Sequence, residues 1–470
     1  MTTVAGKPAL GSIAARLERL PHSRWHVKVR FLIGAVTFFE AFDQLLAASA
    51  LPVLMKEWDL TTAQATFAVT AASIGMLLGA LAAGWLGDRI GRVRTVALGV
   101  AVTGLASLAV AFSDSIETFA LFRFVQGLGI GGVVPVAATY INEIARSDKR
   151  GRFVLLYEMI FPAGLAAATL VAVWVVPNLG WRAMFVIGTF PVLIAAALPR
   201  HVQESPRWLL ARGRTQEAEE AIARIEAEVA RATAGPLPSP APSQSQSQSQ
   251  SQSQSPAAGA PDDTAQGRLR DLFRGRYLRR TAVLSGLWFV AYYVNHGIST
   301  WLPSLYTKQF GLDLTTALVY TLLSNVTGLL GTFLVALLID RIGRRPALMG
   351  ALVGGALSLG VLALAGASSG GQVAVFASCT TFFLYAINAG LYLYSPELYP
   401  TANRAKGAAF GGLWNRLGVI VGPVVVGAII GAGGSLPLVF AQLAVMAAVG
   451  AVIAWFAVET KGRTLEELNP

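Results

Sequence analysis

The chain has little charge. Only 13% of its 470 residues are Asp, Glu, Lys or Arg, about half the share of a soluble domain. It has one cysteine and four histidines. A single cysteine excludes an internal disulfide framework and a Cys-based metal site. Cys379 lies in an apolar run and is expected to be a packed small residue. The phosphate-binding pattern GxxxxGK[ST] is absent, so ATP-driven work within this chain has no support. No metal-ligand cluster and no nucleophile–base pair stands out, so neither an enzyme nor a cofactor is expected. Residues 1–30 lack a basic start, an apolar core and a small-residue cleavage site, so the first apolar run is expected to remain as an anchor.

What the chain has is apolar length. It is 54% hydrophobic with a mean hydropathy of +0.56. The apolar residues gather into twelve runs, at 31–55, 64–86, 95–112, 116–141, 153–177, 182–199, 281–304, 314–339, 346–366, 371–395, 405–431 and 434–457. Each is close to the ~20 residues that cross a bilayer as helix. A backbone in hydrocarbon must satisfy its own hydrogen bonds, and the runs do not alternate as barrel strands do. The expected fold class is an all-α membrane protein with twelve transmembrane helices, called spans one to twelve below.

The net charge of +11 is a topology signal. Of 37 Lys and Arg, 32 fall in residues 1–30, in the loops after spans two, four, six, eight and ten, and in the C-terminal tail. The alternate loops hold only Lys56, Arg182 and Lys308. The positive-inside bias puts both termini in the cytoplasm, as an even number of crossings requires. A multi-pass protein of the inner cell membrane is expected, most simply a monomer. The basic residues are scattered over short loops, which excludes a nucleic-acid partner.

Residues 87–94 read GDRIGRVR and residues 339–346 read IDRIGRRP, 252 positions apart. NEIARSDKRG after span four and PELYPTANRAKG after span ten each place Glu seven residues before Arg: Glu143 and Arg150, Glu397 and Arg404. ESPRWL begins at Glu204 and ETKGRTLEE at Glu459. These markers imply a duplicated six-helix unit. Between the copies lie an amphipathic stretch, 214–232, expected as a surface helix, and a Ser-Gln repeat with nothing apolar to bury, expected as a disordered tether. The expected divisions are 1–30 (cytoplasmic segment), 31–199 (first bundle), 200–280 (linker), 281–457 (second bundle) and 458–470 (tail).

Two parallel six-helix halves about an axis along the membrane normal are the arrangement of major facilitator transporters. The octets, FRFVQGLGIGG, the Glu–Arg pairs, ESPRWL and ETKGRTLEE resemble that superfamily over nearly the whole chain outside 1–28 and 233–265. The last two resemble signatures of its sugar-porter branch and of related metabolite:proton symporters. The polar markers are expected to form a cytoplasmic gate. Asp88 and Asp340 would accept hydrogen bonds from helix N-terminal amides or basic groups. Arg89, Arg92, Arg341, Arg344 and Arg345 would pair with Glu143, Glu204, Glu397 and Glu459, with Arg150 and Arg404 alongside. Together they would latch the halves together when the transporter opens outward.

Ionisable groups inside hydrocarbon are costly and mark function. They are Glu40 and Asp43 in span one, Arg123 in span four, Glu158 in span five and Arg416 in span eleven. Glu158 lies near its span end and has no assigned role. Asp43 and Arg123 are expected to pair, and making and breaking such a pair moves a proton. The resemblance to sugar–proton symporters implies that this is the coupling pair. Glu40, in EAFD, stands where similar aromatic-acid symporters carry DGxD, which implies a part in coupling. Arg416 sits near mid-depth in GGLWNRLGVIVGP beside Asn415, with no carboxylate inside the second six spans. An unpaired buried cation is expensive, and an anionic substrate would neutralise it with a bidentate bond. Similar organic-anion carriers imply the same role. Trp288, Tyr292, Tyr293, Asn295 and His296 of span seven and Tyr392 of span ten would embrace a flat ring, and Gln126 of span four would face the cavity. Span seven lacks the paired glutamines of typical sugar porters.

The sequence therefore points to a proton-coupled symporter that imports a small organic anion. A nicotinate-like aromatic carboxylate fits best. The alternatives are a sugar porter, an organic-cation or drug carrier and a transporter-like receptor without net flux.

Overall fold

The computed structural model describes residues 13, 15–17, 19–21, 23–144, 159–233, 237–238, 269–400, 403–463 and 465–468. Every regular element among them is helical. The first half contains span one (Arg24–Glu57), two (Thr62–Ile90), three (Arg92–Ala111), four (Ile116–Ile144), five (Ile160–Leu179) and six, which breaks into Trp181–Ile187 and Pro191–His201. The second half contains span seven (Gly275–Ser299), eight (Leu314–Ile342), nine (Arg344–Leu364), ten (Gly370–Glu397), eleven (Arg404–Gly431) and twelve (Leu436–Trp455). The face that carries residues 87–94 and 339–346 is called the octet face below.

Eleven of these helices are long and apolar enough to cross a bilayer among the described residues. Span seven is the twelfth. Its amide, imidazole and hydroxyl groups dilute its apolar content because it lines a polar cavity. Spans two, eight and ten start on the face opposite the octets at side-chain caps. Thr61, Asp313 and Ser369 each accept the N–H three residues on. At the octet face, Gly91 and Gly343 join spans two to three and eight to nine with φ of +106° and +98°. Only glycine adopts that backbone without strain.

Without a hydrophobic drive between helices in lipid, close backbone approach at small residues holds them together. A Cβ on Gly75 or Gly79 of span two would strike the Phe124 or Leu128 carbonyl of span four. In the second half, a Cβ on Gly422 of span eleven would strike the Tyr293 carbonyl of span seven.

The halves touch each other toward the face opposite the octets. Gly427 and Gly431, in the last turns of span eleven, pack on Thr66 and Thr62 in the first turns of span two. Nearer mid-depth, Asn325 Nδ2 of span eight donates to Thr169 Oγ1 of span five at 2.9 Å.

The amphipathic stretch forms a helix, Thr215–Thr233, as expected. It buries Ile222, Ile225 and Val229 in a cluster with Leu17, Leu20 and Trp25, and Glu226 pairs with Arg16 and Arg19. The Ser-Gln repeat and Glu158 lie outside the described residues. One expectation changes. Cys379 is exposed on span ten rather than packed, one turn from the outward-facing Val375. Trp301 is 2% exposed and donates its indole N–H to Pro423 O at 3.0 Å.

Candidate functional site

A cavity opens at mid-depth between the halves. Spans one and five wall it from one side, and spans seven, eight, ten and eleven from the other. Its residues follow helical periodicity. Span seven presents Tyr292, Asn295, His296 and Ser299, and span ten presents Tyr385, Asn388, Ala389 and Tyr392. Both sets have the spacing i, i+3, i+4, i+7 of one helix face. Span one contributes Thr37, Glu40, Gln44, Leu45 and Ala48.

Arg416 faces this cavity, half-buried, with Asn415 beside it. Its described hydrogen bond is a weak one, from Nη1 to Met76 Sδ of span two at 3.5 Å. Among the described residues no protein oxygen accepts from the guanidinium. Glu40 lines the same cavity from the other half, and no ion pair joins it to Arg416 among the described residues. Glu40 is 5% exposed, and its Oε2 is buried without a hydrogen-bond partner. The Oδ1 atoms of Asn295, Asn388 and Asn415 are likewise unpartnered. Buried polar atoms are rarely left so, and here four of them surround one space. The Tyr292 ring stacks on His296 with centroids 5.8 Å apart.

Of the nine residues expected to bind substrate, six line the cavity: Arg416, Asn415, Tyr292, Asn295, His296 and Tyr392. Three do not. Trp288 is 2% exposed, and its indole donates to Ser395 Oγ at 2.9 Å. Tyr293 sits one residue, or about 100° of helix turn, from Tyr292, and its hydroxyl donates to Gln442 Oε1 of span twelve at 2.8 Å. Gln126 is fully buried and accepts from Arg123 Nη1 inside the first half. Sequence reasoning missed Tyr385 and Asn388 of span ten. The four-residue stripe containing them was the signal.

Asp43 and Arg123 are both buried inside the first half, 1% and 3% exposed. They lie within Coulombic range but form no direct ion pair, contrary to expectation. Arg123 turns to Gln126 one helix turn along. Asp43 packs instead against Gly188, where span six breaks; a Cβ there would lie 2.9 Å from its Oδ1. Both Asp43 oxygens are left without a donor. Such a carboxyl is stable beside a cation or with a proton on it.

At the octet face the two halves repeat one network. Arg92 donates to Asp88 at 2.7 Å and to Glu143 at 3.4 Å. Arg344 donates to Asp340 at 2.9 Å and holds Glu397 with two bonds, at 2.9 and 3.1 Å. Glu204 accepts the backbone N–H of Arg92 at 2.8 Å and of Val93 at 3.2 Å. Glu459 accepts those of Arg344 and Arg345, both at 3.0 Å. Glu204 and Glu459 thus cap spans three and nine, the role expected of Asp88 and Asp340. Burial works against ionisation of Glu459, but backbone N–H bonds from Lys461, Arg344, Arg345 and Thr460 outweigh it and hold the carboxyl below its ordinary value.

Three arginines depart from expectation. The Arg89 guanidinium lies over Trp85 at 4.0 Å and that of Arg345 over Trp455 at 5.2 Å. At Arg341 the described contact is through its carbonyl, which accepts from Lys461. Arg150 and the Arg404 side chain lie outside the described residues. Neither network reaches the other half among the described residues. Among the described residues no latch joins the halves here; their contacts lie toward the opposite face and near mid-depth.

A family profile described as sugar (and other) transporter matches residues 29–470. The chain is 33% identical to the niacin transporter NiaP of Acinetobacter baylyi, over 97% of this chain and 99% of that protein. It is 24% identical to the 4-hydroxybenzoate transporter PcaK of the same organism, over 93% of this chain and 92% of that protein. An inward-open structure of the Escherichia coli xylose transporter XylE superposes with a TM-score of 0.70 at 20% identity, covering 94% of this chain and 99% of that one. With its twelve helices, duplicated octet network and central cavity, this chain belongs to the sugar (and other) transporter family of the major facilitator superfamily.

Proposed function

We propose that the protein imports a small aromatic carboxylate, nicotinate or a near relative, together with a proton. One observation carries the choice of cargo: Arg416 faces the cavity with a thioether as its described hydrogen-bond acceptor. A carboxylate meets a guanidinium with two charge-assisted bonds, and the stacked Tyr292 and His296 rings beside it suit a flat ring. The similarity to a niacin transporter over nearly the full chain supports the same cargo.

The proton step is assigned to Asp43 and Arg123, with Glu40 at the cavity. Asp43 either carries a proton or gains the Arg123 cation as the halves rock, and the alternation moves that proton. The octet networks then act as each half's part of a gate that closes when the opposite face opens. The distribution of basic residues supports an inner-membrane protein with both termini in the cytoplasm.

The test is uptake of labelled nicotinate into proteoliposomes under an inward proton gradient, with benzoate, xylose, glucose and choline as competitors. Accumulation that collapses with the gradient and is competed by aromatic acids is expected. Xylose accumulation without nicotinate uptake would replace this reading with a sugar porter. Nicotinate binding without net flux would make the protein a receptor.

A further inference from the structure

Resting on the aromatic-carboxylate reading, the cavity also suggests how one aromatic acid is told from another. We propose that Glu40 is a specificity-determining residue: it binds the polar ring atom of the substrate whose carboxylate sits on Arg416. Glu40 belongs to the first half and Arg416 to the second, and both line the same cavity. No ion pair or hydrogen bond joins them among the described residues, and the cavity they both line lies open to a ligand. Glu40 is 5% exposed, and its Oε2 has no partner. A site with a guanidinium on one wall and an open carboxyl on the other fits a ligand polar at both ends.

The neighbours favour this division of labour. Arg123 is buried inside the first half, where it bonds Gln126. His296 reaches the cavity from span seven and is stacked on Tyr292, giving the cavity an aromatic wall. A protonated carboxyl donates to a ring nitrogen; an ionised one accepts from a ring N–H or a phenolic O–H. Neither form gains from an aromatic C–H. Nicotinate and benzoate share a shape and differ only in that one ring position. A site built to hydrogen-bond a substrate atom rejects the analogue lacking it, because the buried partner is then left unsatisfied.

The experiment is calorimetric titration of the purified full-length protein in nanodiscs with nicotinate and, separately, with benzoate. Wild type should bind nicotinate at least about tenfold more tightly than benzoate. Glu40→Leu should bring that ratio to about one. Glu40→Ala gives the same reading should leucine disturb folding. The proposal is overturned if either variant keeps the wild-type ratio, or if both ligands weaken together. The benzoate arm separates the two readings. Wild type that binds both acids equally sinks this inference alone, whereas wild type that binds neither sinks the aromatic-acid reading and this one with it.

Discussion

The two halves agree at the octet face and disagree inside the membrane. At the octet face, Asp88, Arg92, Glu143 and Glu204 recur as Asp340, Arg344, Glu397 and Glu459, bond for bond, apart from a looser Arg92–Glu143 contact. Inside, the first half holds the carboxylates Glu40 and Asp43 with Arg123. The second holds an aromatic and amide wall with Arg416. The difference separates two kinds of work. On the proposed function, a gate acts on both halves alike, so its parts stay duplicated. The second half's Arg416 takes the carboxylate of the cargo and the first half carries the proton step, so the copies have diverged.

The sharpest way to break that comparison is Arg416→Ala. Nicotinate binding should weaken by about 100-fold, the scale of removing one partner of a buried charge-assisted contact, as read by calorimetry. Binding within threefold of wild type would remove the second half from cargo recognition. Next in size is Asp43→Asn, which should leave nicotinate exchange intact while abolishing accumulation driven by a proton gradient. Full gradient-driven accumulation by this variant would take the proton step away from the first half.

The duplicated gate allows a paired test. Glu204→Gln and Glu459→Gln each weaken a charged cap on a span N-terminus, worth about 1 kcal/mol, and should lower the melting temperature by similar amounts. Unequal losses would end the equivalence. For Glu459 a pH sign follows. Its carboxyl is held below the ordinary value of 4.5, so its stabilisation is present above that value and is lost as pH falls through the folded value. In Glu459→Gln the acid side of the stability profile should therefore flatten. The smallest effects belong to Tyr293→Phe and Trp288→Phe, whose rings serve packing. Nicotinate affinity should change by less than about threefold, since each loses one bond remote from the cavity.

Much of this was legible in the sequence, because polar residues in an apolar background stand out. The octets, the Glu–Arg pairs and Arg416 are conspicuous for that reason. Which way a side chain points was harder to read. Tyr292 and Tyr293 are adjacent, yet one faces the cavity and the other span twelve. Trp288 shares the Tyr292 stripe and is withdrawn from the cavity by a hydrogen bond to Ser395, a partner more than a hundred residues away. Arg123 and Asp43 seem made for each other until Gln126 and Gly188 enter, from one turn along and from a break in a distant span. Tyr385 and Asn388 carry no charge to announce them, only a spacing.

Each half is also stitched to itself. The carboxyl that caps span three arrives from 112 residues downstream, and the one that caps span nine from 115 downstream. Each stitch returns the tail of a half to its own second hairpin, so neither bundle needs the other copy to close its loop. A transporter severed anywhere between residues 239 and 268 and produced as two separate polypeptides should still assemble in the bilayer and carry its cargo.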